Sequence, residues 1–178
     1  MQVLLEVKDY HNINTSVTDL QKDFLRLYSI CGLKYGNISK ELNVSRQTLS
    51  QWYEDLKPER ERIAKIRAVW SRKKFTPVFE DFYTWYQNLE RKCHYCDITE
   101  DEIAELLDSG KLNTKRIVTR GRRLEYDRKV PDLLYENIEN VVLCCYWCNN
   151  AKTDTFTYDE FKEIGKVFKA IWKERMAR

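Results

Sequence analysis

Four cysteines in two pairs, Cys93-x-x-Cys96 and Cys145-x-x-Cys148, are the first chemistry this sequence offers. Two thiolates spaced this way form a knuckle, and two knuckles close a tetrahedral zinc site with no position left for water. Such a site is structural: one zinc ion per chain, stapling a small domain. Cys144 competes with Cys145, but only Cys145 keeps the two-residue spacing, and Cys144, one step along a strand, should face the other way. His94, inside the first knuckle, is expected to hydrogen-bond there rather than ligate. Cys31 lies on an apolar helical stripe and reads as a small core residue. Between the pairs and just after the second stand an acid and an amide, Asp127 and Asn149, placed where they could share a further metal ion.

Those residues need elements to hold them. The segment from Arg116 to Asp127 reads as a hairpin turning near Gly121, with Asp127 ending its second arm. Asn140-Val-Val-Leu-Cys reads as a short buried strand, and Cys148-Asn149 opens a helix through Lys152. A helix sits between the knuckles: Thr99 with Glu102 makes a capping box, Ile103, Leu106 and Leu107 form its buried face, and Gly110 ends it. Thr157 with Glu160 caps a closing helix over 157–175, whose stripe is Phe161, Ile164, Phe168 and Ile171-Trp172, with Gly165 allowing close packing. An aromatic helix following Thr76-Pro77 is expected to pack over the zinc staple.

Upstream, residues 18–56 have the pattern of a helix-turn-helix. Thr18 and Gln21 form a capping box, and Leu20, Phe24, Leu27 and Cys31 recur at helical spacing. Ile38, Leu42, Val44, Leu49 and Trp52 fit two short helices around a tight turn, with Asn43 in a left-handed position and Ser45 as N-cap. This resembles the helix-turn-helix of resolvases and of many bacterial and phage DNA-binding proteins. The resemblance makes Arg46, Gln47, Ser50 and Gln51 the base readers. Residues 57–74 form a basic helical linker with Pro58 in its first turn. Val3, Leu4, Leu5 and Val7 could form a strand or an arm. The expected organisation is a helix-turn-helix module over 1–57, the linker over 58–74 and a zinc-stapled domain over 75–178.

Composition sets the outer limits. At 178 residues, 43% hydrophobic and 13% aromatic, the chain can build a core. No apolar run approaches the roughly 18 residues of a membrane span, and no secretory pattern opens the chain. A cytoplasmic protein, bacterial or phage-encoded, is expected, which turns six cysteines toward metal rather than disulfides. The net charge of +3 is modest, but residues 111–129 carry eight basic side chains against two acidic ones. That cluster, with Arg120, Arg122 and Arg123 near its centre, suits phosphate neutralisation, and Lys152 is a further candidate phosphate contact.

With both cysteine pairs, Asp127-Arg128, Asn140 and Asn149 in place, the sequence resembles the HNH endonucleases, the ββα-metal or His-Me finger nucleases. The resemblance implies an α+β fold, a single divalent ion (Mg2+ or Mn2+) held by Asp127 and Asn149, and a loop supported by Asn140. The family's catalytic His is Arg128 here. Asp-Arg followed by Tyr135 resembles a branch of the family that has this substitution. Arg128 can fork onto a phosphate oxygen but cannot serve as a base. Tyr135 would then activate water or attack directly, with Tyr126 as second choice. The implied activity is sequence-specific cleavage of double-stranded DNA, of restriction or homing type, possible for a homodimer with paired centres. Two other readings stay open: a non-catalytic zinc-containing DNA-binding regulator on the same scaffold, and a zinc-stabilised interaction module.

Overall fold

The computed structural model describes residues 17–115, 121–135 and 137–178. The N-terminal apolar stretch over 3–7, the first hairpin arm over 116–120 and with it Arg120 lie outside those residues. The chain divides into two compact units, Met1–Asn88 and Leu89–Arg178.

The described part of the first unit is helical: α1 (Asp19–Leu25), a π-helical turn (Arg26–Ile30), α2 (Tyr35–Leu42), α3 (Arg46–Asp55), α4 (Lys57–Lys73) and α5 (Phe79–Gln87). Thr18 and Gln21 close the capping box at the start of α1. The π turn leaves carbonyls without helical partners, and Arg67 from α4 donates to those of Ser29 and Ile30, both at 2.8 Å. Between α2 and α3 the chain reverses through Asn43, left-handed at φ 54°. Ser45 then caps α3 by accepting from the Thr48 amide at 3.0 Å. Phe24, Ile38 and Leu49 are fully buried between these helices, with Trp52 set edge-on to Phe24.

The boundary between units falls at Asn88, later than the boundary expected at residues 74/75. Lys74, left-handed at φ 57°, ends α4 and turns the chain back. Helix α5 then lies on α4, with the Phe79 ring 5.6 Å from Trp70 and Phe82 4.6 Å from Phe75. The aromatic helix, expected over the cysteines, is core of the first unit instead.

The second unit contains α6 (Glu100–Asp108), β1 (Glu125–Arg128), β2 (Val141–Cys144), α7 (Tyr146–Lys152) and α8 (Tyr158–Ala177). The strands pair antiparallel with Glu125 opposite Cys144 and Asp127 opposite Val142. Both expected capping boxes are formed, Thr99 with Glu102 and Thr157 with Glu160. Helix α7 starts earlier than expected because Cys145 is its N-cap. Every residue of β2 is buried. The result is an α+β arrangement in which a small antiparallel strand pair lies beside the cysteine cluster. No helix among the described residues is long and apolar enough to cross a membrane.

Candidate metal centre and active site

The first knuckle is a tight turn closed by Asp97, left-handed at φ 61°, whose amide donates to the Cys93 carbonyl at 2.8 Å. The second is the cap of α7. The two bring the sulfurs of Cys93, Cys96, Cys145 and Cys148 within 4.8 Å of one another, all four residues buried. A tetrahedron of sulfurs around zinc has edges of roughly 3.8 Å, and the Cys96 and Cys145 sulfurs stand 3.7 Å apart. The cluster can therefore chelate a metal ion, and its all-sulfur donor set is that of a structural zinc site. Cys144 is buried outside the cluster, where desolvation and the nearby Asp127 carboxylate push its thiol far up, so it stays neutral. His94 does not ligate: its Nε2 and the Tyr158 hydroxyl are hydrogen-bonded at 2.7 Å.

A second constellation forms where α7 covers one face of β1. Glu125 and Asp127, two apart on a strand, share that face. Asn149 and Lys152, three apart on a helix, face them. Two rungs result. Asn149 Nδ2 donates to Glu125 Oε2 at 2.7 Å. Lys152 Nζ lies 3.3 Å from Asp127 Oδ2 and donates to the Arg128 carbonyl at 2.7 Å. The inner rung is dry, with side-chain exposures of 1% for Lys152 and 12% for Asp127. Tyr95, between the cysteines of the first knuckle, completes it by donating its hydroxyl to Asp127 Oδ2 at 2.8 Å. Burial first, then the Asp127 charge, pushes the Tyr95 phenol well above its ordinary range, so it is a neutral donor here.

The backbone of Tyr95 is held in turn by α8. A Cβ on Gly165 would sit 2.4 Å from the Tyr95 carbonyl oxygen, so only glycine lets the helix approach this closely. Asn140 fastens the loop after β1: its Oδ1 accepts from the Val130 amide at 2.9 Å and its Nδ2 donates to the Val130 carbonyl at 3.2 Å.

The expected site residues separate into distinct groups. Asp127 and Asn149 lie on one face but bind different partners. Arg128 alternates to the opposite face of β1, where it donates to the Leu133 carbonyl at 3.3 Å and stands 5.3 Å from the Tyr135 ring. The Tyr135 hydroxyl donates to the Tyr126 carbonyl at 3.4 Å. Lys152, expected on the surface as a phosphate contact, is corrected: the strand side of α7 buries it completely, and Asp127 takes its charge. Arg122 and Arg123 are exposed, as are Arg46, Gln47, Ser50 and Gln51 in the first unit. Ser50 donates to the Arg46 carbonyl and Gln51 to Asp55.

Sequence reasoning missed Tyr95, Glu125 and the structural role of Lys152. The signal for two of them was periodicity: a residue two before Asp127 on a strand and one three after Asn149 on a helix must share their faces. Nothing local pointed Tyr95 at Asp127.

Glu125, Asp127 and the Asn149 amide are hard oxygen donors of the kind Mg2+ or Mn2+ takes. Asp127, however, is already neutralised by Lys152. Among the described residues, the cysteine cluster is the one group of three or more His, Cys, Asp or Glu side chains close enough to hold an ion.

Comparison with protein-family models and with curated protein sequences returns no match. Among solved structures, the chain matches the rare-cutting HNH restriction endonuclease PacI, at 23% identity and a TM-score of 0.46, over 63% of this chain and 77% of that one. That is a distant, partial resemblance to an HNH-fold protein.

Proposed function

We propose that this chain acts on double-stranded DNA as a divalent-metal-dependent endonuclease, with its phosphodiesterase centre in the Leu89–Arg178 unit. The observation that supports this reading is the buried Tyr95–Asp127–Lys152 group beside the cysteine cluster. Buried, hydrogen-bonded ionisable groups are costly to keep and collect at functional sites. In this reading Tyr95 positions the Asp127 carboxylate, and Tyr135 keeps the expected role of activating water or attacking directly. The neutral Tyr95 hydroxyl donates to Asp127 and fixes the direction of that carboxylate. Arg128, Arg122 and Arg123 bind phosphate oxygens, and the exposed face of α3, through Arg46, Gln47, Ser50 and Gln51, reads the target. Asp127, Glu125 and Asn149 would hold Mg2+ or Mn2+, which supplies charge neutralisation and stabilisation of the leaving oxygen. The restriction or homing type of activity is proposed with it.

Supercoiled-plasmid cleavage in Mg2+ or Mn2+ tests the proposal. Asp127→Ala, Asn149→Ala and Tyr95→Phe should each lose most cutting while DNA binding persists. Cleavage that survives both Asp127→Ala and Asn149→Ala defeats it.

One observation favours a second reading. Lys152 satisfies Asp127 and Glu125 satisfies Asn149, so the two groups expected to share a cation are partnered apart. A zinc-containing DNA-binding regulator without catalysis has no need of that cation. It predicts salt-sensitive DNA binding and no cutting in any divalent metal.

A further inference from the structure

Next to the Tyr95–Asp127 pair lies a surface group that the proposed chemistry does not use. His94 precedes Tyr95 and is exposed, and its ring stacks on that of Tyr158 with centroids 5.7 Å apart and planes at 24°. The hydrogen bond between His94 Nε2 and the Tyr158 hydroxyl fixes the stack. Two ammonium groups flank the Tyr158 ring, Lys162 at 4.7 Å and Lys129 at 5.8 Å from its centroid. Lys162 also pairs with Asp159 at 3.1 Å, whereas Lys129 has no carboxylate partner among the described residues.

Three separate segments converge here: the first knuckle, the end of β1 and the first turns of α8. An aromatic face attracts cations, so the Tyr158 ring draws both lysines to itself. The outcome is two ammonium groups on one ring, Lys162 shared with Asp159 and Lys129 two residues along the chain from Asp127. A group of this kind suits an anion that approaches from solvent and carries its charge on several oxygens.

We propose that Lys129 and Lys162, held by the His94–Tyr158 stack, form a backbone-phosphate subsite for duplex DNA flanking the Tyr95–Asp127 centre. Its position beside a scissile bond rests on the endonuclease reading; its binding of DNA does not. Each phosphate it neutralises releases condensed counterions, so its contribution is read in salt dependence.

The test is fluorescence anisotropy of a short labelled duplex titrated with the zinc-loaded full chain over a series of salt concentrations, without Mg2+. Lys129→Gln/Lys162→Gln is compared with Lys166→Gln/Lys173→Gln, which removes equal charge elsewhere on α8, and circular dichroism checks that both fold. The first variant should flatten the slope of log K against log salt by about 2, roughly 0.9 per phosphate contact, and weaken binding about tenfold or more at low salt. The second should match wild type. His94→Ala should weaken binding through loss of the stack. An unchanged slope in the first variant overturns the proposal, as does an equal loss in the second, or a wild-type chain that binds no duplex. The expected slope change in a protein that cuts nothing in Mg2+ or Mn2+ upholds the subsite and defeats the endonuclease reading.

Discussion

The cysteine cluster and the two-rung ladder between β1 and α7 sit in the same unit and share the first knuckle, yet they are balanced in opposite ways. The cluster brings four like groups together, and four thiolates at such range repel one another unless a cation lies between them. The ladder is already bonded: Lys152 answers Asp127, Asn149 answers Glu125 and Tyr95 donates to Asp127. One region therefore needs an ion to be a structure at all. The other is a structure already, and an ion or a substrate would have to compete with existing bonds. That difference orders the expected effects of perturbing them.

The largest effect should come from the sulfurs. Structural zinc contributes on the order of 10 kcal/mol in small domains, more than the whole stability of many folds. Chelation of the metal, or Cys93→Ser, is expected to unfold the Leu89–Arg178 unit, while the helices of the first unit persist. Elemental analysis should find about one zinc per chain before treatment, and circular dichroism should show a partial loss of helix after it. A second unit that melts unchanged without metal would reverse the contrast drawn above.

Next comes the inner rung. Lys152→Met removes a cation that is fully buried and leaves Asp127 charged with only Tyr95 to satisfy it. Breaking a buried pair from one side costs about 3–5 kcal/mol. Adding Asp127→Asn should restore part of that loss, because no unpaired charge then remains. Chemical denaturation of the two variants and wild type measures both steps. If Lys152→Met costs no more than a surface substitution, the inner rung is not the dry ion pair described here.

What could be read in advance follows the same division. The knuckles, the three capping boxes and the left-handed Asn43 depend on residues within a few positions of one another, and local spacing rules found them. The Tyr95–Asp127–Lys152 group joins three segments, and no local rule spans such separations. A run of aromatics signals burial without saying against what, and α5 folds back on α4 rather than over the cysteines expected beneath it. A glycine signals a turn without naming the strand beyond it. The second arm of the expected hairpin pairs with β2, across the loop that Asn140 fastens.

A smaller effect is expected where the two regions meet. Gly165→Ala drives a Cβ against the backbone oxygen of Tyr95, which no side-chain rotation can relieve. Overpacking of this sort costs about 1–3 kcal/mol. It should also shift the Tyr95 hydroxyl relative to Asp127. A fall in plasmid cleavage out of proportion to the loss in thermal stability would show that α8 sets the position of Tyr95.

The smallest effect on stability, and the sharpest separation of the readings, belongs to the outer rung. Asn149 and Glu125 are only half-buried, so water can replace either partner. Losing their hydrogen bond through Asn149→Ala should cost about 1 kcal/mol, a shift of a few degrees in the melt. If Asn149 serves only to hold Glu125, DNA binding and any cleavage should fall no further than that shift explains. If it also serves a cation shared with Asp127, cleavage should vanish in a protein that still folds and still binds DNA. A loss of stability as large as that of Lys152→Met would instead show that the two rungs form and break as one unit, because the outer bond would then be keeping the inner pair dry.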